Sequence, residues 1–260
     1  MKPKVDQPEW IDWPLGFRPL LRMVVAADCW VGVGSPDRPS AEANWPAAFL
    51  TVAEACATGH PVGVGTWSLA LNNVVVATDQ EREWVVLMMA TPMVLINANP
   101  QGHRRSVIQA WGQQVGLGAS TLVTLDRYFQ LVGQRGRAGR WASDDWPWAT
   151  PRGMAAPLTM DANFNDVVRL VASLQGQALP ALTLAHRQGW PSVALALVGV
   201  LSSLRLGSGG LPLARLADQA NRGDLGPRWQ NYDFAQMDCL ADALYQRWCG
   251  VASGLPGERL

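Results

Sequence analysis

The stretch Leu182–Pro212, LTLAHRQGWPSVALALVGVLSSLRLGSGGLP, decides how the rest of the chain is read. Gly189 breaks it early. Pro191 stands where the first turn of a helix accepts proline, because the N–H it lacks has no partner in that turn anyway. From Val193 to Leu206 almost every residue is apolar or small. A helix that is apolar on nearly every face has none to give to water, so it is buried. Gly199, Ser202 and Ser203 carry little side chain and allow neighbouring helices to approach closely. Gly207, Ser208, Gly209 and Gly210 then end the helix, as glycine does at helix C-termini. The stretch predicts the central helix of an all-α domain.

Outward from this core, 260 residues are enough to bury a full interior within one domain. Apolar residues make up 48% and charged residues 16%, with 21 basic and 21 acidic side chains balancing to zero. That balance argues against a nucleic-acid or polyanion binder. The 13 tryptophans exceed what a helical core usually needs and point to grooves or contacts. Cys29, Cys56, Cys239 and Cys249 form no CxxC and stand at no metal-ligand spacing from a histidine, so they read as buried thiols. The N-terminus MKPKVDQPEWIDWP has no apolar run, and the most apolar windows, 84–96 and 193–206, are too short to span a bilayer. A cytoplasmic protein is expected, with peripheral attachment to a complex compatible with the same pattern.

Periodicity and breakers give helices near Pro19–Trp30, Ala47–Thr58, Leu69–Gln80, Glu81–Asn97, His103–Gly116, Ser120–Leu131, Asp161–Gly176, Leu179–Arg187, Val193–Leu206, Leu213–Asn221 and Phe234–Val251. Pro92 predicts a kink, and Ser120 and Asn163 are candidate N-caps. The expectation is a single-domain orthogonal bundle of about ten helices over residues 18–252, with an arm at 1–17 and a tail at 253–260. Residues 133–163 read as irregular, with Arg135, Arg137 and Arg140 near Trp141, Trp146 and Trp148. The simpler reading is a solvated loop whose arginines pair with Asp144 and Asp145. The sharper one is a protein-docking loop with tryptophan anchors.

Together, the helix ALALVGVLSS and its exit GSGGLP resemble the C-terminal core of the ADP-ribosylglycohydrolase family. In that family a Gly-Asp-Thr-Asp-Thr turn enters a similar helix. Ala27-Asp28-Cys29-Trp30 echoes the family's first helix, which ends in Gly-Asp-Ala-Leu-Gly, and the terminal Leu240-Ala241-Asp242 helix is also similar. The resemblance implies an ADP-ribosyl hydrolase holding two magnesium ions on acidic motifs plus the aspartate matched by Asp28. Those motifs are changed here. With Gly199 on the family's helix glycine, the metal-binding aspartates fall on Trp190 and Ser192 and the threonine between them on Pro191. The second motif falls on Thr66-Trp67-Ser68, and no acid lies between Glu54 and Asp79.

Magnesium takes hard oxygen ligands in near-octahedral geometry, and positions that have lost their carboxylates cannot supply them. Two motifs that each gain a tryptophan and lose acids imply a site that has been filled. No other catalytic pattern competes: His60, His103 and His186 form no metal or base pair, and neither GxSxG nor GxGxxG occurs. The expectation is a pseudoenzyme with no cofactor that binds a protein partner, as a subunit or regulator of a larger assembly. The alternative is an active hydrolase, metal-free or with magnesium ligands recruited from Asp28, Asp144, Asp145 and Asp161.

Overall fold

The computed structural model describes residues 17–31, 44–76, 78–97, 103–138, 163–206, 225 and 227–250. Among these there are ten α-helices, one 3-10 turn and no strand. The helices are α1 (Arg18–Val31), α2 (Trp45–Thr58), α3 (Val64–Asn72), α4 (Asp79–Asn97), α5 (His103–Gln114), α6 (Ala119–Ala138), α7 (Phe164–Ser173), α8 (Ala178–Arg187), α9 (Ser192–Leu206) and α10 (Phe234–Trp248). The all-α expectation holds, and no helix among the described residues is long and apolar enough to cross a membrane.

Helix α9 is the centre of the bundle. Every residue from Ser192 to Leu204 is buried, and α1, α4, α6, α7 and α8 all pack on it. Its most extensive partner is α1. At the crossing a Cβ on Gly199 would meet Met23 Cγ at 2.8 Å, the Met23 carbonyl oxygen at 3.1 Å and Ala27 Cβ at 3.4 Å. One turn further on, the Ser203 hydroxyl points to the Pro19 carbonyl at 3.4 Å. Residue numbers fall along α9 as they rise along α1, so the two helices run antiparallel. Small residues four apart share one helix face, and here that face is Gly199 and Ser203. The Ser202 hydroxyl, on another face, has no hydrogen-bond partner among the described residues.

The entry into α9 is fixed by local chemistry. Gly189 takes φ 77°. It donates to the His186 carbonyl at 2.9 Å, and Trp190 N–H donates to the Ala185 carbonyl at 3.1 Å. This paired pattern is a Schellman motif, which satisfies the orphan carbonyls of α8 and needs a left-handed residue at its corner. Pro191 lies just before α9 rather than in its first turn, and its carbonyl accepts from Ala194 and Leu195 at 3.0 and 3.1 Å.

A second layer closes on the first. Arg18 and Arg22 on α1 form ion pairs with Asp242 and Asp238 on α10. The reversed order makes α10 antiparallel to α1, and α10 also packs on α2 and α4. The cap at Asp233 is a complete capping box with Gln236, and Asn163 caps α7 in the same way with Asp166.

Several predicted boundaries move. Leu69–Gln80 is not one helix: α3 starts earlier at Val64 and ends at Asn72, before the β-branched run Val74–Val76. β-branched residues crowd the preceding helical turn. Ser120 falls inside α6 rather than at its cap, and α6 continues through Gly133 to Ala138. The stretch read as irregular therefore begins as helix, because arginine, glutamine and alanine are good helix formers that outweigh two glycines. The predicted helix 213–221, the glycine exit 207–212, the arm 1–16 and the tail 253–260 lie outside the described residues.

Gly199→Ala tests the central crossing. Alanine gains about 1 kcal/mol over glycine in a helix interior, but overpacking against a backbone carbonyl costs about 1–3 kcal/mol. A net loss of about 1–2 kcal/mol is expected in urea unfolding, while Ser202→Ala, which removes an unpaired hydroxyl, is neutral or stabilising. Unchanged stability of Gly199→Ala would contradict the close contact.

Candidate functional site

Asp28 sits in the last turn of α1, where the aligned carbonyls already place negative charge. It is nevertheless only 4% exposed. A buried carboxylate at a helix C-terminus needs compensation, and a segment from the far end of the chain provides it. Arg228 Nη2 lies 3.2 Å from Asp28 Oδ1, and Trp229 Nε1–H donates to Asp28 Oδ2 at 3.0 Å. The Trp229 ring stands edge-on to Trp45 at a centroid distance of 5.6 Å and to Phe49 at 6.3 Å. Trp45 Nε1–H in turn donates to the Ser192 hydroxyl at 3.0 Å. A continuous buried chain therefore runs Asp28, Trp229, Trp45, Ser192.

Two of the positions marked by sequence, Asp28 and Ser192, are thus joined, though through two tryptophans rather than directly. Trp190 is fully buried next to Ser192, and Pro191 is half-buried between them. The other motif goes elsewhere. Trp67 packs edge-on against Trp111 of α5 at 4.9 Å, and Trp111 Nε1–H donates to the Val62 carbonyl at 2.6 Å. Thr66 is half-buried and Ser68 exposed, and no side-chain hydrogen bond, ion pair or ring contact among the described residues links Thr66, Trp67 or Ser68 to Asp28 or Ser192. Arg135 and Arg137 belong to α6 by their backbone. Their side chains, with all of Arg140, Trp141, Trp146, Trp148, Asp144, Asp145 and Asp161, lie outside the described residues.

The donor set at Asp28 does not fit magnesium. An arginine cation stands at ion-pair distance from one carboxylate oxygen, an indole N–H donates to the other, and the Ser192 oxygen already accepts from Trp45. A cation that takes six oxygen ligands would have to displace all three donors. Among the described residues no three His, Cys, Asp or Glu side chains are grouped so as to hold a metal ion.

The segment supplying Arg228 and Trp229 is a tight strap. Leu225 N–H donates to the Tyr232 carbonyl at 2.8 Å, and Tyr232 N–H to the Trp229 carbonyl at 3.0 Å. Gln230 and Asn231 between them take φ 53° and 57°. Two successive left-handed residues are the pattern of a type I′ turn, which favours Gly and Asn. Gln230 bears the steric cost, roughly 1–2 kcal/mol. The strap ends with Tyr232, whose hydroxyl donates to Glu54 Oε1 on α2. Burial, reinforced by the Glu54 carboxylate, pushes the Tyr232 phenol well above its usual value, so it keeps its proton.

Beyond Tyr232 an open groove of about 670 Å³ runs between α2 and α10. Thr51, Glu54, Thr58 and His60 line one side, and Tyr232 and Leu240 line the other. A second cavity of about 560 Å³ opens beside Trp67, between α4 and the α5–α6 turn. Sequence reasoning missed Glu54, Trp45, Arg228, Trp229 and Tyr232. The excess of tryptophan was the available signal, since Trp45, Trp67, Trp190 and Trp229 are among the largest fully buried side chains.

The pairing of a buried carboxylate with a half-exposed guanidinium predicts coupling. Arg228→Met leaves the Asp28 charge without its cation and is expected to cost about 2 kcal/mol, whereas Asp28→Asn/Arg228→Met together cost less than the sum of the single changes. Additive losses in a double-mutant cycle would contradict the pairing. Burial also pushes the Cys56 thiol up to about 12 from 9.0. The unfolded thiol ionises first, so the stability this group contributes is full below pH 9 and is lost as pH rises towards 12. Cys56→Ala is expected to flatten that alkaline fall in stability, and an unchanged alkaline slope would assign it elsewhere. No family model matches the chain, and no curated protein or solved structure matches it.

Proposed function

We propose that this chain is a degenerate ADP-ribosylglycohydrolase-like protein that works by binding a protein partner, as a subunit or regulator of a larger assembly. One observation carries the reading. The carboxylate that would be the retained metal ligand, Asp28, is engaged by Arg228 and Trp229, and the position matching a lost aspartate, Ser192, is engaged by Trp45. A site used in this way has become part of the core. Asp28 is the one recruitable ligand of the hydrolase alternative that lies among the described residues, and its carboxylate is already paired.

The binding half of the reading is supported by the surface of α3 and the residues after it. Neither an acid nor a lysine or arginine occurs between Glu54 and Asp79. Within that uncharged stretch Val64, Leu69 and Val75 are 49%, 61% and 70% exposed. Uncovered apolar side chains in a stretch without charge support a contact there.

Calorimetric titration with ADP-ribose, with and without magnesium, tests the proposal. No binding heat in either condition is the expected outcome. Magnesium-dependent binding would overturn it in favour of an active hydrolase, and the Asp28 cluster would then have to open.

A further inference from the structure

We propose that the groove between α2 and α10 binds a primary alkylammonium group, with Glu54 as its counter-charge and the apolar wall as the seat of its alkyl chain. This inference is independent of the function proposed above.

The groove, about 670 Å³, has the size of a small-molecule site. Its apolar wall includes Ala55, Ala235 and Leu240. Glu54 is the only acid in the lining among the described residues and is half-buried. Four half-buried aspartates, Asp126, Asp166, Asp238 and Asp242, each face an arginine, while Asp233 is used as a helix cap. Glu54 instead faces a phenol, which is neutral, and among the described residues no basic nitrogen lies within ion-pair distance of its carboxylate. Among the described residues it makes no ion pair, and Oε2 has no hydrogen-bond partner there.

Two hydroxyls beside Glu54 are already spent as donors. The Thr51 hydroxyl spends its proton on the Ala47 carbonyl at 3.0 Å, and the Thr58 hydroxyl spends its own on the Glu54 carbonyl at 2.8 Å. His60 Nδ1 lies 2.9 Å from that Thr58 oxygen. Glu54 and Thr51 thus offer lone pairs and a negative charge. An anion would be repelled, and an alcohol would leave the charge unanswered. A divalent metal needs several hard oxygen ligands, and no metal-holding group of side chains occurs among the described residues. An ammonium group brings three N–H donors and one positive charge, and its chain can lie along the apolar wall and the Tyr232 ring.

The experiment is titration of the full chain with n-hexylammonium chloride, followed by amide chemical shifts and calorimetry, with hexanol as the uncharged control. Shifts confined to α2 and α10, and at least tenfold weaker binding of hexanol, are expected. Glu54→Gln is expected to weaken hexylammonium at least tenfold. Tyr232→Phe, which removes only the neutral donor, retains binding and guards against a folding defect in the first variant. Nα-acetyl-lysine methylamide distinguishes the two sources of such a group: binding tighter than hexylammonium identifies a lysine side chain of a protein, and weaker binding identifies a free amine. Equal binding of hexanol, unchanged affinity of a folded Glu54→Gln, or no shifts in the groove would overturn the proposal.

Discussion

The backbone of α9 lies against the backbone of α1 at Gly199, and the other helices take their places from that contact. A side chain of any size there would push Met23 and its carbonyl away. Because α9 is apolar all round, each of its faces needs a cover, and α1, α4, α6, α7 and α8 supply them. With α1 fixed by its close approach, its outer face directs Arg18 and Arg22 towards α10. Exposed ion pairs of this kind add little stability. They do set the direction and register in which α10 arrives, and α10 then forms one wall of the groove opposite α2.

The strap before α10 shows the cost of joining the two layers. It carries a left-handed glutamine, which favours an open loop, yet it stays closed because three side chains have fixed partners. Arg228 and Trp229 hold Asp28 at the end of α1, and Tyr232 holds Glu54 on α2. Local strain of this kind persists where the surroundings over-determine the conformation. One short segment thereby closes a buried carboxylate and shapes the rim of an open groove.

Much of the helical pattern was legible in the sequence because it rests on local signals. The apolar run of α9, the glycine break at Gly189 and the Asn163 cap are each visible within a few residues. The α3 boundary was misread because Val74–Val76 look apolar enough to continue a helix, while their branching disfavours one. The end of α6 was misread because Gly133 and Gly136 read as breakers within otherwise helix-forming residues. The candidate site was legible only in part. Asp28 and Ser192 stood out through resemblance, but the residues that engage them lie far away in sequence. No spacing rule ties Trp229 to Asp28, 201 positions apart, or Tyr232 to Glu54, 178 positions apart. Such pairings are products of tertiary topology.

That topology also bears on the order in which the chain can acquire its shape. The contact from Ser203 to Pro19 joins residues 184 positions apart, and Arg18 meets Asp242 across 224. On the ribosome α1 is therefore made long before its covering partner exists, and its apolar face must wait while α2 to α8 emerge. Helices α2, α4, α5 and α6 pack on one another and can settle early. Helix α1 gains its most extensive cover only when α9 arrives, so its apolar face is exposed to aggregation in the interval.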